Sequence, residues 1–152
     1  MHPMAIRKPK ADSGQAIVEF AISALILLQL VFSIIDFSYL FFSKLTLQNA
    51  VRQGGRYAIT GQAISGKSRY LSILTTVENT SLGMATSSNT TVCGQILGCQ
   101  CGGGPGETVT VNVTYPYKFL TPLIGTFFTN GTYTFTVSTS FKNETFPPGL
   151  TY

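Results

Sequence analysis

Hydrophobic and polar positions divide the chain into three regimes. From Ala16 to Phe42, AIVEFAISALILLQLVFSIIDFSYLFF, apolar residues run without a proline or glycine, and Glu19 and Asp36 are the formal charges within the run. Twenty-seven such residues are enough to cross the hydrocarbon core of a bilayer as a helix. From Ser43 to Ala58 the pattern turns amphipathic: Leu45, Leu47, Ala50, Val51 and Ala58 alternate at roughly helical spacing with Lys44, Gln48, Asn49, Arg52, Gln53 and Arg56. The predicted helix therefore starts at Gln15, leaves the membrane and projects into water. It either ends at Gly54, where two glycines each weaken a helix by about 1 kcal/mol relative to alanine, or runs on to Ala58 with Gly54 and Gly55 admitting a close neighbour.

After Ala58 the periods shorten. Tyr70, Leu71, Ile73, Leu74 and Val77 fit one helix of two or three turns that lies against a sheet, and Ser81–Thr91 reads as loop. Strict alternation follows in ETVTVNVTYPY, Glu107–Tyr117, with Val109, Val111, Val113 and Tyr115 on one face. It returns in GTYTFTVSTSF, Gly131–Phe141, with Tyr133, Phe135, Val137 and Phe141 on one face. These predict two half-buried antiparallel strands, and Thr91–Leu97 offers a third. The connector KFLTPLIGTFFTN is itself apolar. Leu120, Leu123, Ile124, Phe127 and Phe128 either cover a sheet edge as a short helix or form an exposed patch that docks on a partner. The tail Asn143–Tyr152, with Pro147-Pro148, reads as extended surface chain.

Within the membrane run, Gln29, Ser33, Asp36 and Ser43 fall within roughly 80° of arc on a helix. Polar groups facing lipid are costly, so this stripe predicts a helix-packing surface; alternatively, Asp36 lies at the outer headgroups. Leu40, Leu47, Ala50 and Gly54 extend the same line.

Charge refines this picture. Charged residues make up 11% of the 152 and the formal net charge is +4. Three of the cations, Arg7, Lys8 and Lys10, crowd into the leader MHPMAIRKPKADSG; without residues 1–14, seven cations face five anions. No basic stripe interleaved with aromatics remains, so nucleic acid is not an expected partner. The leader cations predict an N-terminus held in the cytoplasm, with the chain after Phe42 outside it. The apolar run is too long for the core of a secretory signal and lacks a small-x-small cleavage site, which favours an anchor.

Outside the cytoplasm, Cys93, Cys99 and Cys101 in CGQILGCQCGGGPG predict a disulfide from Cys93 to either Cys99 or Cys101, with one cysteine left over. A structural zinc site wants four ligands, and His2 would approach from the wrong side of the membrane, so no metal is expected. The single histidine in the leader leaves no Ser-His-Asp or Cys-His arrangement outside the membrane. GGGPG lacks the Lys-Ser/Thr of a phosphate loop. Neither catalysis nor a cofactor is expected.

Gly14-Gln15-Ala16-Ile17-Val18-Glu19-Phe20 is similar to the processing site of type IV pilins and pseudopilins. More particularly, AIVEFA, then Asp36-Phe37, then LQNAVRQGGRYA from Leu47 to Ala58, and the TVTVNVTYPY and YTFTVSTSF strands with their Pro-Leu connector resemble TadE-like proteins of the tight-adherence (Flp) pilus system. The resemblance implies a prepilin-type peptidase that cuts after Gly14 and makes Gln15 the new N-terminus. It makes Glu19 the carboxylate that meets the terminal amine of a neighbouring subunit, with Phe20 the aromatic after it. A charge buried in lipid needs such a partner; the other reading sets Glu19 near the cytoplasmic interface. The chain departs from the pattern at Leu25, where a proline is common, and at Ser33 and Ser38, where glycines often occur. The missing proline predicts a straighter first half of the helix.

The expected architecture is α+β: a basic leader peptide (1–14), a long hydrophobic then amphipathic N-terminal helix (15–58), and a small extracytoplasmic domain with an antiparallel sheet (59–152). The expected function is that of a minor pilin, pseudopilin or assembly component of a tight-adherence type IV pilus, in the inner membrane or in an extracellular pilus. Its partners would be other pilin or pseudopilin subunits through the helix, the prepilin-type peptidase, the assembly machinery and the lipid bilayer. The alternative is an uncleaved single-span envelope protein whose outer domain binds a partner or ligand.

Overall fold

The computed structural model describes residues 13–145. The leader over residues 1–12 and the tail about Pro147-Pro148 lie outside the described residues. One helix, α1 (Ser13–Ile59), spans 47 residues and is followed by a small domain: α2 (Arg69–Thr80), β1 (Thr90–Gly94), β2 (Gly98–Cys99), β3 (Thr108–Lys118), a short helix α3 (Pro122–Gly125), a 3-10 turn (Thr129–Gly131) and β4 (Thr132–Lys142). The fold is the expected α+β arrangement, a long apolar helix carrying a four-stranded antiparallel sheet of order β2-β1-β3-β4.

The sheet is built by the alternation visible in the sequence. Register sets Val92 opposite Val111, and Val113 opposite Val137, so the β-branched residues of three strands share one face. That face packs on the upper half of α1 and on α2. Val92, Val109, Val111, Val113, Phe135 and Val137 meet Leu47, Ala50, Val51 and Ala58 from α1 and Ile73, Leu74 and Val77 from α2. Full burial of side chains of this size contributes about 1.5–3 kcal/mol each. The opposite face is wet and Thr-rich, with cross-strand hydroxyl pairs Thr110–Ser140 at 2.8 Å and Thr114–Thr136 at 3.0 Å.

The core thus has α1 as one of its walls, which explains how a four-stranded sheet with two short strands and one 12-residue helix hold together. The glycine pair lies where the elements come closest. α1 continues through Gly54 and Gly55 to Ile59 because each glycine takes a neighbour against its bare backbone, Val77 and Ile73 of α2 at Gly54, and the Phe141 ring of β4 at Gly55. A Cβ at Gly54 would collide with Val77, and one at Gly55 with the Phe141 ring. At the far end, the Glu144 amide donates to the Ile59 carbonyl at 3.1 Å, so the chain leaving β4 is tied back to the end of α1.

The short elements depart from the reading of the sequence in detail. The apolar connector forms only one turn of helix, started by Pro122, and then a 3-10 turn in which Asn130 adopts φ 55°. The third strand ends at Gly94, and a two-residue β2 pairs with it.

Candidate functional site: the helix shaft and its junction with the head

Burial splits α1 at Asp36. From Gly14 to Ile35 the side chains are exposed or half-exposed; from Asp36 on, Leu40, Ser43, Leu47, Ala50, Val51, Gly54, Gly55 and Ala58 form a buried face against the head. The free part is 22 residues, about 33 Å at 1.5 Å per residue, close to the roughly 30 Å of a bilayer's hydrocarbon core. A single helix of the described residues, Gly14–Ile59, is long and apolar enough to cross a membrane, as in a single-pass membrane protein.

Three serine hydroxyls of α1 are satisfied by its own backbone, whereas the buried side-chain nitrogen of Gln29 has no partner among the described residues. Ser33 donates to the Gln29 carbonyl at 2.7 Å, Ser38 to Ile34 at 2.7 Å and Ser43 to Tyr39 at 2.9 Å, each one turn back along the helix. A hydroxyl bonded in this way is admissible in lipid, where water supplies no partner. Gly14, Gln15, Glu19 and Phe20 lie on the first turns, all exposed, with Phe20 74% accessible. The stripe drawn from the sequence divides between two surroundings. Gln29 and Ser33 are half-buried on the free shaft, and Asp36 and Ser43 are buried under the chain's own head.

Asp36 is the hinge pin of this junction. Its carboxylate accepts two backbone amides of the β3–β4 connector, Leu120 at Oδ1 and Thr121 at Oδ2, both at 2.9 Å. The Tyr117 hydroxyl donates to the Asp36 carbonyl at 3.1 Å. Burial, and then the nearby Asp36 charge, hold the Tyr117 phenol above its ordinary pKa, so it remains a donor. Aromatic rings surround the pin: Phe37 meets Phe119 edge-on at 6.3 Å, Tyr117 meets Phe119 at 5.3 Å, and Phe119 stacks on Phe128 at 4.6 Å.

Two further buried charges, neither assigned a role from the sequence, organise the glycine-rich segment at the opposite end of the head. Glu107 accepts amides from Ile96, from Leu97 at 3.1 Å and from Gly104 at 2.6 Å. Burial pushes its pKa up, and the three amide donors outweigh that and hold it below the ordinary value. Arg69 donates to the carbonyls of Gly103 and of Ala58, the latter at 2.9 Å, joining α2, the end of α1 and the glycine run. Asn143 donates to Gly102 and Gly104. The disulfide joins Cys93 to Cys99, and the buried Cys101 thiol donates to the Gly98 carbonyl at 2.8 Å. Among the described residues no group of three His, Cys, Asp or Glu side chains is placed to hold a metal ion. The arrangement supplies packing surfaces and fixed backbone.

Among known proteins, the family model for TadE-like protein matches residues 14–56. No curated protein and no solved structure matches the chain. The matched segment runs from the first turns of the shaft, through Asp36, to the glycine pair buried under α2 and β4. Over residues 14–56, most of α1, the chain is therefore similar to TadE-like proteins.

Proposed function

We propose that this chain is a pilin-like subunit, a minor pilin or pseudopilin, or an assembly component of a tight-adherence type IV pilus. The observation that carries the reading is the free apolar shaft: 22 consecutive exposed or half-exposed residues inside the TadE-like match, ending where a compact head begins. A helix apolar on all sides is stable only in lipid or against other apolar helices, and both surroundings occur in the life of a pilin. In this reading a prepilin-type peptidase cuts between Gly14 and Gln15. Glu19 meets the new terminal amine of a neighbour, Gln29 and Ser33 face neighbouring helices, and the head stands outside the cytoplasm for contact with other pilus components.

Mass spectrometry of membrane-extracted protein from cells containing the peptidase tests it. The expected mature N-terminus is Gln15. An intact leader under those conditions would instead support an uncleaved single-span envelope protein whose head binds a partner.

A further inference from the structure

We propose that the base of the head is itself a membrane-inserting surface: the connector between β3 and β4 dips Leu120, Leu123 and Phe127 into the outer leaflet beside the point where α1 leaves the bilayer. The inference rests on the anchored reading of α1 and adds a second point of lipid contact, made by the head.

Three observations converge on it. The first is exposure. Leu120 is 83% accessible, Phe127 79% and Leu123 54%, an unusual concentration for a 13-residue connector in a small domain. The second is height. Twenty residues from Ala16 to Ile35 span about 30 Å, the thickness of the hydrocarbon core, so Ile35 and Asp36 mark its outer boundary. Leu120 and Pro122 line a groove of about 220 Å³ together with Phe32 and Ile35, residues of the free shaft. The connector therefore reaches down alongside the last turn of α1 that faces lipid. The third is rigidity. The Asp36 carboxylate holds the Leu120 and Thr121 amides, so the connector cannot retreat from that height without breaking both bonds.

The residues just above fit the headgroup layer. Phe37, Tyr39, Phe41 and Phe42 on α1 remain 45–62% exposed, and the Tyr39 ring lies 6.4 Å from that of Tyr117 on the head. Tyrosines with one apolar and one polar end concentrate at this depth in membrane proteins. The whole apolar run to Phe42 is about 40 Å long, which matches a bilayer with its headgroups. Lipid is the occupant because the patch begins at Leu120 and Pro122, which share a groove with Phe32 and Ile35 on the lipid-facing surface of α1. A second copy docked there would have to enter the same leaflet.

The absence of tryptophan makes the test direct, since one substitution introduces a unique fluorophore. Full-length Phe127→Trp and Leu120→Trp, both at exposed positions, are placed in phosphatidylcholine nanodiscs at one copy per disc. The lipid carries bromine in the upper part of its acyl chains. Ile96→Trp, 83% exposed in the loop between β1 and β2, reports the far side of the head, and Leu27→Trp reports the shaft. The expected result is bromolipid quenching of the Phe127→Trp and Leu120→Trp variants at least about twofold stronger than that of Ile96→Trp, with blue-shifted emission. Equal quenching at the three head positions overturns the inference, whether acrylamide finds the connector open to water or a protein surface shields it. Quenching at Leu27→Trp reads the anchor separately. Its loss would sink the anchored reading, and its presence with an unquenched connector would sink this inference alone.

Discussion

The Asp36 carboxylate on the long helix accepts the Thr121 amide at 2.9 Å across 85 positions of sequence. With the Leu120 amide on its other oxygen, it fixes the β3–β4 connector to the helix at the level where the free shaft ends. The geometry makes Asp36 a structural joint between shaft and head, held by donors that belong to the backbone.

Replacing Asp36 by alanine should therefore loosen the base of the head. Hydrogen bonds to a charged group contribute about 1.5–3 kcal/mol each, and the buried Thr121 amide and the part-buried Leu120 amide would be left without this acceptor. Asp36→Ala is expected to lower the stability of the head by about 3 kcal/mol, and Asp36→Asn, which keeps one acceptor oxygen, by roughly half as much. Urea unfolding in detergent, followed by near-ultraviolet circular dichroism, reads the loss. An alanine variant as stable as the parent would show that the connector is held by its aromatic packing.

The glycine pair reverses an ordinary rule. In an exposed helix Gly→Ala gains about 1 kcal/mol, but a Cβ at Gly55 meets the Phe141 ring. Gly55→Ala is expected to cost about 1–2 kcal/mol, as overpacked cores do, and Phe141→Leu should recover part of that in the double variant. Additive effects in the cycle would mean that the two positions do not touch.

How much of this was legible in the sequence depends on the range of the interaction. Val109, Val111 and Val113 announce β3 by alternation alone, and the apolar run announces α1, because those signals are local. β2 carries no such signal, being two residues long with Gly98 at φ 81°. The partners of Asp36 were illegible for another reason: amide donors have no residue identity, so nothing in Leu120-Thr121 marks it as the acceptor's counterpart. Arg69 and Glu107 look in sequence like an ordinary solvated cation and a strand start. Their burial is created by the glycine-rich segment that folds over them, and a short-period pattern does not report it. Gly54-Gly55 left two readings open, and the approach of α2 and β4, distant in sequence, decided between them.

The disulfide predicts a distribution of reactivity. Cys93–Cys99 closes a short loop, for which the chain-entropy model gives about 2 kcal/mol, so Cys93→Ser with Cys99→Ser should lose about that much stability. Cys101 is 8% exposed and should alkylate slowly in the native protein and rapidly in urea. Non-reducing peptide mapping is expected to recover Cys93 linked to Cys99 and Cys101 as the alkylated residue. A Cys93–Cys101 peptide would contradict the pairing.

The proposed filament contact has its own test. If Glu19 pairs with the terminal amine of a neighbouring subunit, Glu19→Ala should insert in the membrane as the parent does yet appear at least about tenfold less in sheared pili, a loss of more than about 1.4 kcal/mol per contact. Immunoblots of shear and membrane fractions compare the two. Normal incorporation of the variant would remove the pairing role while leaving the anchor in place.

Glu107 gives the head an acid-sensitive lock whose sign follows from its surroundings. Because the folded carboxylate titrates below its ordinary value of 4.5, protons bind more readily to the unfolded chain. The contribution of Glu107 is thus fully present above that ordinary value. It fades as pH falls from there through the lower folded pKa, where the protonated group can no longer accept all three amides of Ile96, Leu97 and Gly104. Glu107→Gln should be less stable than the parent at neutral pH and closer to it in acid, since the amide lacks the charge at every pH. Subtracting urea midpoints of the two proteins between about pH 7 and pH 3 cancels the other titrating groups, including Asp36. A difference that stays constant over that window would show that the charge of Glu107 does not hold the glycine-rich segment.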